Sequence, residues 1–232
     1  KGLVKRFGAF AAVNGVDLVV KKGEFHSIIG PNGAGKTTLF NCLSGLLPLT
    51  GGQIFFRGED ISRLPANRAV SKGIARSFQI TSIFKELSVF ENIRISVQAV
   101  TRRKFDLLAR TERLWEINEE TRSILHEVGL SDKATMLASN LSHGDQRLLE
   151  IGIALATRPQ LLLLDEPLAG LSAGESARIT EFIRQLGKDV TILLIEHKID
   201  SVLALSEKVT VMHRGQVIAQ GSPSEIEKNP SV

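Results

Sequence analysis

The sequence of 232 residues contains no tyrosine, a single tryptophan and a single cysteine. One cysteine, Cys42, cannot form a disulfide within the chain, so nothing in the composition indicates an oxidising compartment. The scarcity of tyrosine and tryptophan leaves few platforms for stacking nucleic-acid bases, and no basic run is interleaved with aromatic residues. The runs at residues 161–164 and 192–195 have the length of strands, whereas a bilayer-spanning helix needs about 20 apolar residues. These absences argue against a disulfide scaffold and against a membrane span.

Positive charge is concentrated at the beginning of the chain. The formal net charge is +4, and residues 1–76 contain 11 lysines and arginines against 4 acidic residues. A basic amino-terminal portion suits a polyanionic ligand such as a nucleotide, with nucleic acid as the second candidate.

The most informative segment is Gly30-Pro31-Asn32-Gly33-Ala34-Gly35-Lys36-Thr37-Thr38, which fits the phosphate-binding pattern G-x-x-x-x-G-K-[ST]. It follows Glu24-Phe25-His26-Ser27-Ile28-Ile29, which predicts a buried strand, and it leads into a predicted helix over residues 37–43. Glycine lets backbone N–H groups approach phosphate oxygens, lysine can reach the β- and γ-phosphates, and a threonine hydroxyl can bind Mg²⁺. The predicted nucleotide contacts here are Asn32, Gly33, Ala34, Gly35, Lys36, Thr37 and Thr38.

Two carboxylates, Asp165 and Glu166, follow the leucine run at residues 161–164. In open α/β sheets, ligands bind at the carboxyl ends of the strands. We therefore expect Asp165 to lie beside the Mg²⁺ that Thr37 binds, and Glu166 to orient or deprotonate the attacking water. The alternative interpretation is an acidic turn after a buried strand.

The segment Leu141-Ser142-His143-Gly144-Asp145-Gln146 precedes a predicted helix. Ser142 can act as an ordinary N-cap. A helix N-terminus with a serine hydroxyl and an exposed glycine backbone is also a candidate anion site.

Alternating strands and helices predict a mainly parallel sheet covered by helices on both faces. The capping-box pair Ser88 and Glu91 predicts a helix start, and apolar residues at helical spacing predict a helix over residues 111–128. Residues from about 83 to 140 are therefore expected to form an inserted helical lobe. The predicted strands are residues 16–20, 25–29, 53–56, 73–78, 161–164 and 190–195, followed by a hairpin at 208–213 and 216–220.

The order of five elements makes the chain resemble the ATP-binding subunits of ABC transporters over essentially its whole length. These elements are residues 30–38, Gln79, residues 141–146, residues 161–166 and His197. The resemblance implies an α/β fold: a P-loop NTPase core with a mainly parallel sheet, an N-terminal antiparallel β subdomain and an inserted α-helical subdomain. It implies a single ABC ATPase domain over residues 1–232, with the core at 1–82 and 141–232 and the helical lobe at about 83–140.

The family forms a head-to-tail dimer with two ATP molecules sandwiched at the interface. The resemblance therefore implies that Ser142, Gly144 and Gln146 of one subunit contact the nucleotide held by the other. Gln79 matches the glutamine that contacts Mg²⁺ and the water, and His197 matches the histidine that hydrogen-bonds the γ-phosphate.

Phe7 stands where the family stacks an aromatic ring on adenine, and Phe10 is a rival candidate. Four positions depart from the commonest family pattern, and one of them is Phe7, which replaces the commoner tyrosine. His143 replaces glycine and Asp145 replaces glutamine in the segment 141–146, and Ser172 replaces aspartate in the loop that crosses to the partner's site.

Within the family, the chain is most similar to the branched-chain amino-acid importer ATPases of the LivG type. The motifs that carry this likeness include Arg76-Ser77-Phe78-Gln79 and Leu194-Ile195-Glu196-His197. Importers of urea or amides share these features, so the solute stays open. The implied activity is ATP hydrolysis with Mg²⁺, in which Glu166 activates water and Lys36 contributes to catalysis together with Gln79 and His197.

The implied partners are a second ABC ATPase, identical or homologous, and integral membrane permease subunits that contact the helical lobe. A periplasmic or external solute-binding protein would take part indirectly, and no nucleic acid is expected. The implied location is peripheral, at the cytoplasmic face of the plasma membrane. Two alternatives are a soluble non-transport ABC ATPase that acts on nucleic acid or the ribosome, and a small-molecule kinase, which would lack the segment 141–146.

Overall fold

The chain folds into two compact units in the computed structural model, which describes residues 1–77, 83–101 and 110–229. The first unit consists of Lys1–Arg76, Gln160–Pro167 and Ile183–Val232. The second consists of Ser77–Pro159 and Leu168–Phe182. Within the described ranges, no helix is long and apolar enough to cross a membrane.

Short strands alternate with helices along the chain. The strands are β1 (Leu3–Phe7), β2 (Phe10–Val16), β3 (Phe25–Ile29), β4 (Phe55–Phe56), β5 (Glu59–Asp60), β6 (Ile74–Arg76), β7 (Leu161–Asp165), β8 (Thr191–Ile195), β9 (Lys208–His213) and β10 (Gln216–Gly221). The helices are α1 (Lys36–Leu43), α2 (Ala66–Lys72), α3 (Val89–Val100), α4 (Arg110–Glu127), α5 (His143–Leu155), α6 (Ala173–Leu186), α7 (Ile199–Leu205) and α8 (Pro223–Glu227). Short 3-10 turns lie at Ser131–Lys133 and Ala138–Asn140.

The first unit is built on a sheet whose described strands run in the order β10-β9-β3-β8-β7-β6. All neighbours pair in parallel except β10, which is antiparallel to β9. β3 and β8 are buried along their whole length, as expected for strands covered on both faces. The segments that follow β3, β8 and β7 meet at one edge of the sheet, because parallel strands end on the same side. The predicted α/β class with a mainly parallel sheet is confirmed.

An antiparallel hairpin of β1 and β2 also belongs to the first unit, with Phe7 opposite Phe10. The strand predicted at residues 16–20 is wrong, because the strand here is β2 and it ends at Val16. Val13 and Val16 of β2 are fully buried, whereas Val19 is exposed. Pairing with β1 and burial therefore fix the position of this strand, and the β-branched residues after Val16 do not extend it.

The second unit is helical, and its helices α3, α4 and α5 pack together. The predicted capping box is confirmed, since the Glu91 N–H donates to Ser88 Oγ and the Ser88 N–H donates to Glu91 Oε2, both at 3.1 Å. A Cβ at Gly152 of α5 would lie 3.2 Å from the Ile93 and Val128 side chains, so glycine permits close helix packing here. This unit is larger than the predicted lobe at about 83–140, since it also includes α5 and the start of α6.

Candidate active site

The phosphate loop leads from the buried strand β3 directly into α1, as its sequence predicts. Gly30 and Gly35 both have positive φ angles, and a Cβ on either would lie about 2 Å from the backbone oxygen of Met212 or Ala12. Only glycine fits there, so the loop is held tightly against neighbouring backbone. Gly35 is the N-cap of α1 and has no side chain to accept the first N–H groups of the helix. The start of α1 therefore offers N–H donors and the positive end of the helix dipole to an anion.

Lys36 is buried at the beginning of α1. Its Nζ donates to the backbone oxygens of Gly30 at 2.7 Å and Pro31 at 3.0 Å. Since an ammonium group has three hydrogens, one more remains for a ligand oxygen. Burial lowers the pKa of Lys36, while the charges of Glu166 and Asp165 oppose that lowering. The lysine and the acidic pair are thus close enough to interact, as the order of the motifs predicts.

Asp165 ends β7 and is fully buried. Its Oδ2 accepts a hydrogen bond from Arg76 Nη2 at 2.8 Å. Its Oδ1 is buried and has no hydrogen-bond partner among the residues that the structure describes. Burial raises the pKa of Asp165, and the Arg76 guanidinium counteracts part of that rise. A hard divalent cation would satisfy this oxygen, and Mg²⁺ is commonly bound by one or two carboxylates together with phosphate oxygens. The residues present therefore fit Mg²⁺.

Glu166 has a positive φ of 49°, an uncommon backbone conformation for a residue with a side chain. Its N–H donates to the backbone oxygen of Ile195 at 2.9 Å, which ties it to the end of β8. Its Oε1 lies 2.7 Å from Nε2 of His197. The backbone N–H of His197 donates to Oε2 of the buried Glu196 at 2.6 Å. The structure thus brings the predicted glutamate and histidine together as a hydrogen-bonded pair.

The predicted site residues divide between the two units. Lys36, Asp165, Glu166 and His197 lie in the first unit, where they follow neighbouring strands of one sheet. The segment 141–146 lies in the second unit. Gln79, predicted to contact Mg²⁺ and the water, lies outside the described residues.

The segment 141–146 forms the start of α5, with Ser142 as the N-cap whose Oγ accepts from the Asp145 N–H at 3.2 Å. The Gly144 N–H donates to Glu175 Oε1 at 3.0 Å, and a Cβ on Gly144 would lie 2.9 Å from that carboxylate. Gln146 Nε2 donates to the backbone oxygen of Leu141. The helix start therefore binds an anionic oxygen supplied by its own chain.

Asp145, one of the departures from the family pattern, is buried between two cations. Lys133 Nζ lies 2.6 Å from its Oδ2, and Arg178 Nη1 lies 2.9 Å from its Oδ1. Burial alone would raise the pKa of Asp145, but hydrogen bonds from Lys133 and Arg178 outweigh burial and lower it. The sequence does not predict the contacts of Lys133, Arg178 and Glu175 with the segment 141–146, because no local motif links these residues to it.

Phe7 and Phe10 are opposite each other in the β1–β2 hairpin, and both are at least half exposed. The Lys5 ammonium lies 5.1 Å from the centroid of the Phe7 ring, within the range of a cation–π contact. Both rings are therefore available to stack on a planar base.

Comparison with protein families matches residues 13–169 to the ABC transporter family. The chain is 40% identical over 238 residues to the high-affinity branched-chain amino acid transport ATP-binding protein LivG of Salmonella typhimurium, and the match covers 100% of this chain and 93% of that protein. It is 41% identical over 240 residues to the corresponding protein BraF of Pseudomonas aeruginosa, with the same coverage.

Solved structures of ATP-binding cassettes share this fold. A nucleotide-free ATP-binding cassette from an ABC transporter matches with a TM-score of 0.87 and 33% identity, covering 100% of this chain and 95% of the other. The ADP conformation of the cassette MJ1267 matches with a TM-score of 0.86 and 34% identity, covering 100% and 94%. These similarities agree with the order of motifs along the sequence and with the sheet described above.

Proposed function

The chain belongs to the family of ABC transporter ATP-binding proteins, and we propose that it powers uptake of branched-chain amino acids through membrane partner subunits. It is an ATPase of that family. The proposal for the solute rests on the full-length similarity to LivG and BraF, whose names both describe branched-chain amino acid transport. Urea or an amide is the alternative solute.

The observation that carries the ATPase function is the grouping of catalytic residues at one sheet edge. The phosphate loop with Lys36 follows β3, the Asp165–Glu166 pair ends β7, and His197 follows β8. Phosphoryl transfer requires a clamp for phosphate charge and a positioned nucleophile more than it requires covalent chemistry by the protein. This edge provides both kinds of group.

In the proposed reaction, the oxygen of a water molecule attacks the γ-phosphorus of ATP. The bond from that phosphorus to the β–γ bridging oxygen breaks, so that ADP and inorganic phosphate are formed. Glu166 accepts the proton that the water loses, while His197 holds the glutamate carboxylate in place through its contact at 2.7 Å. Lys36 and the N–H groups at the start of α1 hold the phosphate oxygens.

Mg²⁺ would be held by Thr37, Asp165 and Gln79, and it supplies neutralisation of phosphate charge when bound. The observation that supports this assignment is the buried Asp165 Oδ1, which lacks a hydrogen-bond partner among the described residues. Thr37 lies in the first turn of α1, next to Lys36.

The proposed active form is a dimer in which Ser142, Gly144 and Gln146 of one subunit contact the nucleotide bound by the other. Support comes from the Gly144 N–H, which already binds a carboxylate oxygen of Glu175 and so has the geometry to hold an anion. Membrane permease subunits would contact the helical lobe, which places the ATPase peripherally at the cytoplasmic face of the plasma membrane. The partner ATPase is either a second copy or a homologue.

The variant Glu166→Gln tests this function. We expect ATP hydrolysis to fall about 100-fold or more, because a general base contributes about 10²–10⁴ in rate. ATP binding should be retained, and an ATP-dependent dimer should accumulate in size-exclusion chromatography. Glu227→Gln, a change at an exposed residue of α8, is the matched control and should hydrolyse ATP normally. Undiminished hydrolysis by Glu166→Gln would contradict the role of this residue, and a monomer at saturating ATP would contradict the sandwich.

The solute is tested by co-purifying the chain with its membrane subunits and reconstituting them, with the solute-binding protein, in lipid vesicles. ATP-dependent uptake of leucine, isoleucine or valine is the expected result. Uptake of urea or an amide in their place would assign the alternative solute.

A further inference from the structure

Arg76, at the end of β6, joins the acidic residue of the active site to the helix that follows the phosphate loop. Its side chain is almost fully buried. One terminal nitrogen, Nη2, donates to Asp165 Oδ2 at 2.8 Å, and the other, Nη1, donates to Asn41 Oδ1 at 2.5 Å and to Ser44 Oγ at 3.4 Å. The guanidinium also lies 5.7 Å from the ring centroid of Phe40. It therefore links β7 to α1 through a rigid planar group.

We propose that Arg76 is a positioning residue for the metal site, because it holds Asp165 Oδ2 and so leaves Oδ1 to bind Mg²⁺. This inference rests on the function proposed above. A carboxylate that could rotate would present either oxygen, whereas an arginine held at both terminal nitrogens fixes one of them. The oxygen that Arg76 does not contact is the one that is buried without a partner among the described residues.

A purely structural role is the competing explanation, since loss of one member of a buried ion pair destabilises a protein whatever the pair does. The two roles differ in what they predict for Mg²⁺. If Arg76 has only a structural role, its replacement changes the midpoint of thermal unfolding and leaves the Mg²⁺ requirement of nucleotide binding unchanged. Loss of a residue that orients a metal ligand typically weakens metal affinity about 10- to 100-fold.

The experiment measures binding of a fluorescent ATP analogue to the full chain, first in EDTA and then across a titration with MgCl₂. In Arg76→Gln, we expect the Mg²⁺ concentration for half-maximal tightening of nucleotide binding to rise about tenfold or more. Affinity in EDTA should stay within about twofold of the unsubstituted protein, because the phosphate loop is intact.

Two further variants keep the test decisive if Arg76→Gln is poorly folded. Arg76→Lys preserves the charge but lacks the rigid planar fork that fixes the direction of each contact, and it should still raise the Mg²⁺ midpoint. Asn41→Ala removes the shorter of the two contacts of Nη1, leaves the contact with Ser44, and should raise the midpoint less. Thermal midpoints of all variants are measured in parallel. The proposal is overturned if the folded variants have Mg²⁺ midpoints within about twofold of that of the unsubstituted protein. That result would leave the ATPase function itself untouched.

Discussion

The buried histidine in the strand before the phosphate loop makes folding stability depend on pH. His26 lies in β3 with no exposed surface, and its Nε2 is 2.7 Å from Thr210 Oγ1 in β9. Burial lowers the pKa of His26 from 6.5 to about 4, with Lys208 adding to the lowering and Glu24 opposing it. The folded protein therefore keeps this imidazole neutral over a range in which the unfolded chain binds a proton.

The sign and size of the effect follow from proton linkage. Between pH 6.5 and about 4 the unfolded state binds more protons than the folded state, so the free energy of unfolding falls as pH falls. Each unit of pKa difference corresponds to about 1.4 kcal/mol, so His26 accounts for a loss of about 3 kcal/mol in total. About 2 kcal/mol of that loss should be present by pH 5. This is a large share of the 5–15 kcal/mol that stabilises a typical domain.

The assay is urea unfolding followed by circular dichroism at pH 7.5, 6 and 5 and constant ionic strength. His26→Gln keeps a hydrogen-bonding group near Thr210 but does not titrate, so its stability should fall less between pH 7.5 and 5 than that of the unsubstituted chain. Titrating groups away from His26 contribute equally to both proteins, so the difference between the two curves reports His26 together with its charged neighbours Glu24 and Lys208. His213→Gln, a change at an exposed histidine of β9, should behave like the unsubstituted chain. Parallel losses of stability in His26→Gln and the unsubstituted protein would refute this reasoning.

Two substitutions test the nucleotide contacts that the geometry leaves open. Glu175→Gln removes the negative charge that competes with phosphate for the Gly144 N–H, so a hydrolysis-deficient variant that carries it should need less ATP to form the dimer in size-exclusion chromatography. Glu225→Gln, at the capping box of α8, is the control. An unchanged ATP requirement in Glu175→Gln would contradict the competition. Phe7→Ala should weaken equilibrium binding of a fluorescent ATP analogue about tenfold, as expected for loss of one base–aromatic stack, whereas Phe10→Ala should change it less than about twofold. The reverse result would assign the adenine contact to Phe10.

The parts of the site that the sequence predicts are those encoded by contiguous residues. The phosphate loop requires glycine where the backbone of Ala12 and Met212 approaches, and the spacing of Gly30 and Gly35 expresses that requirement directly. Asp165 is predictable for a similar reason, since an apolar run that ends in acid marks the carboxyl end of a buried strand. Local patterns also predict the capping box of Ser88 and Glu91 and the C-terminal hairpin.

The elements that local patterns miss are those that depend on distant partners. β2 is positioned by its pairing with β1, and the apolar residues after Val16 give a false strand signal. The sequence patterns do not predict helix α2, because its N-cap residue, Pro65, provides no side-chain hydrogen bond of the kind that makes a helix start recognisable. In both places tertiary packing determines the structure more than intrinsic preference does.

The charged partners of the two motif aspartates show the same limit within the site. Asp145 departs from the glutamine of the commonest family pattern, and a buried carboxylate there would be costly without compensation. Lys133 and Arg178, 12 and 33 residues away in the sequence, supply that compensation. Asp165 obtains its partner, Arg76, from 89 residues away. The departure at Asp145 is therefore accommodated by charges elsewhere in the chain. Replacing Asp145 alone with glutamine would leave two cations facing a neutral side chain. A substitution at Asp145 therefore has to be interpreted together with Lys133 and Arg178.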